Sequence, residues 1–159
     1  YPSIAQEFKL HGYKTAYIGK WHVYGSPDGN FERRSHYVPE DSQLGFDYWK
    51  GAECSHNYMK SPYFFGADPE AHYWDGYDAI SQTKDAISFL AQHDKKEPLL
   101  LMLSWGPPHD PYELVPDKYY QLFREKELKM RPNIPKKFLQ AAQKTCVDII
   151  HTSKLLTIA

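Results

Sequence analysis

An unbroken apolar run in the second half of the chain, residues 99–103 (LLLML), constrains the fold more than any other feature. Apolar and polar side chains do not alternate in it, so both faces of the strand are expected to be buried, as in the centre of a parallel sheet. Apolar residues spaced three and four apart over residues 80–90 predict an amphipathic helix that ends near His93. Two further helices are predicted later in the chain, over residues 116–130 and from Lys136 onward. A helix followed by a buried strand is half of a β-α-β unit, and the sequence therefore predicts an α/β fold.

A second strand is predicted near the start of the chain, between Gly12 and Gly19. The residues between these glycines are rich in β-formers, and a glycine interrupts the pattern at each end, which favours a short buried strand. Residues 3–11 predict a short helix, because Ser3 and Gln6 have the spacing of a capping box and Gly12 suits the position after a helix end. The first part of the chain is therefore expected to be a helix that leads directly into a strand.

Polar side chains follow both predicted strands. Lys20 and His22 come directly after the first strand, and they share a face if the backbone at Trp21 is still extended. His109 follows the second strand within a segment, residues 106–112, whose prolines stop ladder pairing and stiffen the backbone. If the two strands are parallel neighbours, their carboxyl ends meet at one edge of the sheet, where open α/β folds bind ligands. This pattern predicts a site that contains Lys20, His22 and His109.

Two strings in the sequence resemble the sulfatase family. Residues 12–22 (GYKTAYIGKWH) are similar to the second sulfatase signature, which reads Gly-Tyr-x-Thr, a few apolar residues and then Gly-Lys-Trp-His. Residues 108–112 (PHDPY) resemble the Pro-His-x-Pro-(Tyr) segment of the same family. The resemblance runs from about Ile4 to Lys144. It implies part of an alkaline-phosphatase-like α/β/α sandwich, with a mixed, mostly parallel sheet flanked by helices.

The resemblance also implies a role for each residue of the predicted site. Lys20 is expected to bind the sulfate and the formylglycine hydrate, His22 to hydrogen-bond that hydrate and help to expel sulfate, and His109 to contact the ester oxygen. Negative charge spreads over the sulfate oxygens and the departing alkoxide as the ester bond breaks, so fixed cations and one proton donor suit this chemistry. The implied substrate is a small-molecule or polysaccharide sulfate ester, with a sulfated sugar as the leading candidate.

Family members also use calcium and a formylglycine nucleophile, and this chain lacks the motifs for both. Formylglycine forms from the Cys of a Cys-x-Pro/Ala-x-Arg motif, whereas Cys54 and Cys146 stand in other contexts, and the Asp pairs that bind calcium are absent. No metal ligand is therefore assigned in this chain. We expect an internal fragment in which residues 1–144 belong to a partial catalytic domain and residues 145–159 form a tail without a family counterpart. The isolated chain is expected to be inactive.

A long segment after the first strand, residues 30–77, shows no sustained periodicity. It predicts an irregular region that helps to shape the substrate pocket, because long loops in compact domains are usually functional. Within it, His56 and Asn57 are candidate substrate-binding residues beside Lys20 and His109. Cys54 and His56 suggest a thiol–imidazole pair, but residues this close in sequence rarely face one another, and no third orienting group is evident.

The overall composition limits the expected partners. The 19 basic and 20 acidic residues give a formal net charge of -1, which provides no reason to expect nucleic acid or an anionic membrane as a partner. No apolar run is long enough to span a bilayer. The parent protein is expected in the periplasm or outside the cell, and its signal peptide would lie outside this chain.

Two other functions remain open at this stage. A phosphomonoesterase or phosphonate monoester hydrolase would share the fold and the metal-assisted anion chemistry, although the combination of the two strings favours sulfate. A non-catalytic carbohydrate-binding remnant also fits, because the nucleophile and the metal ligands are missing from the chain.

Overall fold

A computed structural model describes residues 1–25, 36–122 and 132–133 of the chain. The chain divides into two compact units, residues 1–114 and residues 115–159, and each is described by itself. The described residues of the first unit form two α-helices, five strands and a short 3-10 helix. In chain order these are α1 (Ile4–Leu10), β1 (Lys14–Lys20), the 3-10 helix (Glu40–Ser42), β2 (Tyr48–Ala52), β3 (Pro62–Phe65), β4 (Asp68–Tyr73), α2 (Asp78–Gln92) and β5 (Leu99–Ser104). In the second unit the described helix is α3 (Asp117–Tyr120).

The five strands form one mixed sheet in the order β4-β3-β2-β1-β5. β1 pairs in parallel with both of its neighbours, β2 and β5. The β2–β3 and β3–β4 pairs are antiparallel. Most of β1 is buried, and its two end residues are half-buried. The α/β prediction and the parallel pairing of the two predicted strands are both confirmed.

The first helix forms for the local reasons that the sequence indicates. The Ser3 hydroxyl accepts the Gln6 backbone N–H at 3.1 Å, and the Gln6 side chain accepts the Ser3 N–H at 2.9 Å, which completes the capping box. Gly12, one residue after the helix end, has φ +79°, a left-handed conformation that glycine adopts without steric cost. The chain can therefore turn directly from α1 into β1.

Helix α2 and strand β5 lie where the apolar patterns predict them, but β5 is not a central strand. It stands at the edge of the five-stranded sheet among the residues that the structure describes, and its side chains are mostly half-buried. Leu101 and Leu103 pack in a cluster with Ala86 of α2, whereas Met102, on the opposite face, is 36% exposed. An apolar run indicates burial in a complete sheet, and within the described residues the side chains of β5 are only partly covered.

The expectation of an irregular region over residues 30–77 is wrong for much of its length, because it contains β2, β3 and β4. These strands are four to six residues long, and β4 is mostly exposed, so apolar and polar residues do not alternate in it. A half-buried strand shows a clear period of two only when one of its faces is packed. Residues 30–35 of this region lie outside the described residues.

Two aromatic-rich clusters pack on opposite faces of the sheet. Tyr17 belongs to one cluster and Ile18 to the other, as expected for successive residues of a strand. The first cluster contains Tyr17, Trp21, Val38, Trp49, Ala52 and Phe64, and the second contains Ile18, Trp74 and Ala86. Most of the aromatic side chains in these clusters therefore serve packing.

The later part of the chain is described only in part. The helix predicted over residues 116–130 is represented by α3 and the turn that follows it, and residues 123–130 lie outside the described residues. The helix predicted from Lys136 onward also lies outside them. Among the described residues, no helix combines the length and the apolarity needed to cross a bilayer.

Candidate active site

The carboxyl ends of β1 and β5 lie side by side at one edge of the sheet. Gly19 of β1 is in register with Ser104 of β5, so Lys20 and the loop that carries His109 leave the sheet at the same level. Gly19 has φ +116°, and a Cβ at this position would lie 2.0 Å from the Ser104 carbonyl oxygen. A residue without a side chain is therefore required here for the two strands to approach this closely.

The backbone after Gly19 is held by buried aromatic residues. The Tyr17 hydroxyl donates a hydrogen bond to the Lys20 carbonyl oxygen, and the Trp21 ring packs edge-on against Tyr17 and Trp49. Lys20 is half-buried, whereas His22 is exposed and has φ +53°. Strand alternation ends at Lys20, and the orientation of His22 is therefore set by a turn and not by an extended strand.

Lys20 lines a small cavity between the strand ends and the start of α2. The cavity has room for one water molecule, whose centre can occupy a volume of about 10 Å³. The residues that line it are Gly19, Lys20, Ala52, Ser55, Ser61, Pro62, Trp74, Asp78, Gln82 and Gly106. Asp78 and Gln82 are each only 2% exposed, and one side-chain oxygen of each has no hydrogen-bond partner among the described residues. The cavity is therefore a polar one whose walls can accept hydrogen bonds.

Burial also affects the charge of Asp78. It raises the pKa of the Asp78 carboxyl to about 6, although hydrogen bonds from the Ser61 side chain and the Ala79 backbone act in the opposite direction. A carboxyl with such a pKa changes its charge under mildly acidic conditions. The polar wall beside Lys20 therefore gains negative charge as the pH rises toward neutrality.

The two predicted histidines on different loops, His56 and His109, are in direct contact. Their rings stack with centroids 4.7 Å apart and planes inclined by 15°. His109 Nδ1 lies 2.9 Å from the Asp110 carbonyl oxygen and 3.1 Å from Asp110 Oδ1. A carbonyl oxygen can only accept a hydrogen bond, so we assign the proton of the neutral ring to Nδ1, which leaves Nε2 with the lone pair.

The backbone of the His109 loop rests on Tyr58. This tyrosine is 1% exposed, and its single hydroxyl proton is shared between the carbonyl oxygens of His109 and Asp110, each 2.9 Å from the hydroxyl oxygen. Burial raises the pKa of Tyr58 to about 12, so the hydroxyl stays protonated and remains a donor at neutral pH. A Cβ at Gly106 would lie 2.8 Å from Tyr58 Cε1, so glycine allows this ring to pack beneath the loop.

The side chain of Asn57, the other predicted substrate-binding residue, makes a hydrogen bond within its own turn, unlike the side chains of His56 and Tyr58, which contact the His109 loop. Its side-chain oxygen accepts the Lys60 backbone N–H at 3.2 Å, which closes its own turn. Cys54 Sγ lies 3.6 Å from His56 Nε2, so the thiol–imidazole contact that sequence proximity argued against does occur. It occurs because the backbone turns after β2, and the side chains of Cys54 and His56 then point toward one another.

Three buried residues at or near this edge were not singled out from the sequence, and they are Glu53, Asp78 and Gln82. Each is at most 2% exposed and carries a polar group. Tyr58 follows Asn57 directly, but its bond to the His109 loop spans 51 positions, and no local pattern indicates it. Asp78 begins α2, where an acidic residue is usually explained by the helix dipole.

The described residues contain one group of three side chains that could hold a metal ion, Asp68, Glu70 and His72. These residues lie on one face of β4, separated from β1 by β3 and β2 in the sheet. Strands in a sheet are about 4.8 Å apart, so this group is roughly 14 Å from β1 and does not belong to the edge that carries Lys20. It does not fit a calcium site beside Lys20 and His109.

Comparison with known proteins places this geometry in a family. The sequence profile of the Sulfatase family matches residues 1–144. The ulvan-active sulfatase of Formosa agariphila is 41% identical over 136 residues, which are 85% of this chain and 25% of that protein. The endo-4-O-sulfatase of Bacteroides thetaiotaomicron is 25% identical over an alignment of 152 positions, gaps included, which covers 82% of this chain and 30% of that protein.

Solved structures show the same similarity. The crystal structure of yidJ from Bacteroides fragilis matches with a TM-score of 0.66 and 29% identity, over 81% of this chain and 31% of that one. A structure solved with its substrate D-glucosamine-2-N,6-O-disulfate matches with a TM-score of 0.57 and 25% identity, over 79% of this chain and 22% of that one.

The chain spans between 22% and 31% of the length of these four proteins. The α/β fold implied by the resemblance, part of an alkaline-phosphatase-like sandwich, is confirmed by these structural matches. The family profile covers residues 1–144 and includes both strings from which the resemblance was drawn. The chain therefore belongs to the sulfatase family.

Proposed function

We propose that the chain supplies one side of the active site of a sulfatase that hydrolyses sulfate monoesters of carbohydrates. The observation that carries this proposal is the parallel pairing of β1 with β5, which brings Lys20 and the His109 loop to one edge of the sheet. Sequence relatives and structural neighbours that act on ulvan or on a sulfated glucosamine support a sulfated carbohydrate as the substrate.

Lys20 would bind the sulfate group. Lys20 is a half-buried residue at the end of β1, and its backbone is fixed by the hydrogen bond from Tyr17. A fixed positive charge in a partly water-excluded site stabilises the negative charge that develops on the sulfate oxygens. This contribution does not depend on the alcohol to which the sulfate is attached.

His109 would act as the general acid on the leaving alkoxide. Because Nδ1 donates to the oxygens of Asp110, the second proton of the imidazolium is carried by Nε2. Nε2 is then the atom that can give a proton to the ester oxygen. The stacked His56 ring and the buried Tyr58 hydroxyl hold the ring and its backbone in place.

The remaining residues keep their predicted roles, which come from the resemblance for His22 and from the position in the long segment for His56 and Asn57. His22 would act on the nucleophile and the departing sulfate, and His56 and Asn57 would contact the sugar. The family's calcium ion and formylglycine would be held by residues outside this chain, because Cys54 is not in the required motif and the acidic group on β4 is elsewhere. The longer protein would work in the periplasm or outside the cell.

The proposal is tested in the longer protein by comparing two leaving groups. Positioned acid catalysis contributes about 10²- to 10⁴-fold, so His109→Ala should slow a sugar sulfate by that range and nitrophenyl sulfate far less, because nitrophenolate leaves without a proton. Lys20→Ala should slow both substrates by a similar factor, on the order of 10²-fold or more. The 159-residue chain alone, with calcium present, serves as the inactive control.

Three results would contradict this proposal. Equal slowing of both substrates by His109→Ala would make His109 a sulfate-binding residue. Preference for a phosphate monoester over the matching sulfate would favour the phosphatase alternative. If the gene lacks a Cys-x-Pro/Ala-x-Arg motif upstream of Tyr1, the carbohydrate-binding alternative is favoured instead.

A further inference from the structure

Glu53 is a buried ionisable residue that the proposed chemistry does not use. It follows β2 directly and is 1% exposed. A buried carboxylate is costly unless its oxygens accept hydrogen bonds or meet a positive charge. The partners of this carboxylate therefore indicate why it is there.

Within the part of the chain that the structure describes, the Glu53 carboxylate accepts three hydrogen bonds, and all of them come from one short stretch of backbone. Oε2 accepts the N–H groups of Val23 at 3.2 Å and Tyr24 at 3.0 Å, and Oε1 accepts the N–H of Gly25 at 2.6 Å. The Glu53 backbone carbonyl accepts the His22 N–H at 2.8 Å. Glu53 thus binds four successive amides, and the first belongs to a predicted catalytic residue.

His22 itself needs support of this kind. Its φ of +53° is in the left-handed region, which non-glycine residues adopt mainly where the surrounding structure holds them. On its N-terminal side the chain is held by the buried Trp21 ring and by the hydrogen bond from the Trp21 N–H to the Ala52 carbonyl. On its C-terminal side it is held by Glu53.

We propose that Glu53 is a positioning residue for His22. The carboxylate of Glu53 fixes the turn that aims the His22 imidazole at the reaction centre. This inference rests on the proposed function for its catalytic consequence. The hydrogen bonds require a group that only accepts and that has two oxygens, which Glu offers and Gln does not. A shorter carboxylate would have the same charge but would not reach the three N–H groups.

The test uses two substitutions with opposite chemistry and one control. Glu53→Gln keeps the length but loses the charge and places an N–H₂ group against backbone donors, and Glu53→Asp keeps the charge but loses the reach. Glu97→Gln removes an exposed carboxylate after α2 and serves as the control. Amide hydrogen exchange is followed at residues 23–25 and, for comparison, along β1 and β5.

We expect both Glu53 variants to exchange the amides of residues 23–25 about 10-fold faster or more, with exchange along β1 and β5 unchanged. In the longer protein, kcat should fall by about 10²-fold with a much smaller change in KM, because a small misplacement of a catalytic group acts mainly on the chemical step. The fall should be similar for aryl and sugar sulfates, since His22 is not assigned to the leaving group.

Each other outcome overturns the inference. Unchanged exchange at residues 23–25 would mean that the carboxylate does not hold the turn. Faster exchange along the whole of β1 and β5 would give Glu53 a merely structural role, and faster local exchange with kcat within twofold of the control would remove the link to His22. If the unmodified longer protein hydrolyses no sulfate ester, the proposed function fails. The NMR signals of the His22 imidazole are then compared between the unmodified protein and the Glu53 variants. A change in these signals shows that Glu53 orients His22, and unchanged signals overturn the inference.

Discussion

The close approach of β1 and β5 at Gly19 can be tested by adding one methyl group. Gly19→Ala places a Cβ at φ +116°, 2.0 Å from the Ser104 carbonyl oxygen and 3.1 Å from Gln82 Oε1. A side chain at positive φ costs about 1–2 kcal/mol, and forcing extra volume into a packed site costs about 1–3 kcal/mol more. We therefore expect the free energy of unfolding to fall by about 2–5 kcal/mol.

Two other glycines separate the two contributions. Gly12 has φ +79° and open space around it, so Gly12→Ala should show only the backbone cost of about 1–2 kcal/mol. Gly51 is not at positive φ, but its Cβ would lie 2.3 Å from the Gly19 carbonyl oxygen, so Gly51→Ala should show only the packing cost of about 1–3 kcal/mol.

The assay is urea unfolding followed by tryptophan fluorescence, in a form of the protein that unfolds in one cooperative step. The order of destabilisation should place Gly19→Ala above both controls. If Gly19→Ala is no more destabilising than Gly12→Ala, the strands do not approach as closely as described, and the argument that aligns Lys20 with the His109 loop loses its basis.

Two further predictions concern the buried groups beside the site. Because the pKa of Asp78 is raised to about 6 in the folded protein from an ordinary 3.8, its protonated form is favoured by folding, and stability should fall as the pH rises from about 4 to 6 by up to about 3 kcal/mol. Asp78→Asn should remove this part of the pH dependence in urea titrations, and an unchanged profile would refute it. Tyr58→Phe removes the hydroxyl that donates to the carbonyls of His109 and Asp110, and it should cost about 1–2 kcal/mol. Exchange of the amides in residues 106–112 should rise with it, and no change there would show that the loop is held by other contacts.

Local patterns predicted the parts of the fold that local physics determines. The capping box of α1 joins residues three positions apart, and the amphipathic period of α2 lies within one helix, so a short window of sequence contains each signal. The parallel pairing of β1 and β5 was an assumption, because no local pattern shows which strands are neighbours, and the structure bears the assumption out.

The parts of the fold and of the candidate site that the sequence did not predict depend on contacts between distant segments. β4 carries no regular alternation because its surroundings leave it mostly exposed, and its place in the sheet follows from pairing with β3. The bonds from Glu53 to the turn after His22 span 28 to 30 positions, so nothing near either segment indicates them. The sequence was enough to propose Lys20 and His109 as site residues, whereas the buried groups beside them could not be proposed from it.

The pairing of β1 with β5 also has an entropic consequence. Residues 21–98 form the loop between these strands, and closing a loop of this length costs about 4 kcal/mol of chain entropy before any contact offsets it. The ladder between the two strands must supply at least that much, while the β3–β4 hairpin closes a far shorter loop. A shorter piece that ends before β5 would keep the whole GKWH string and β2 beside it, yet it would have only half of the edge where the proposed chemistry takes place.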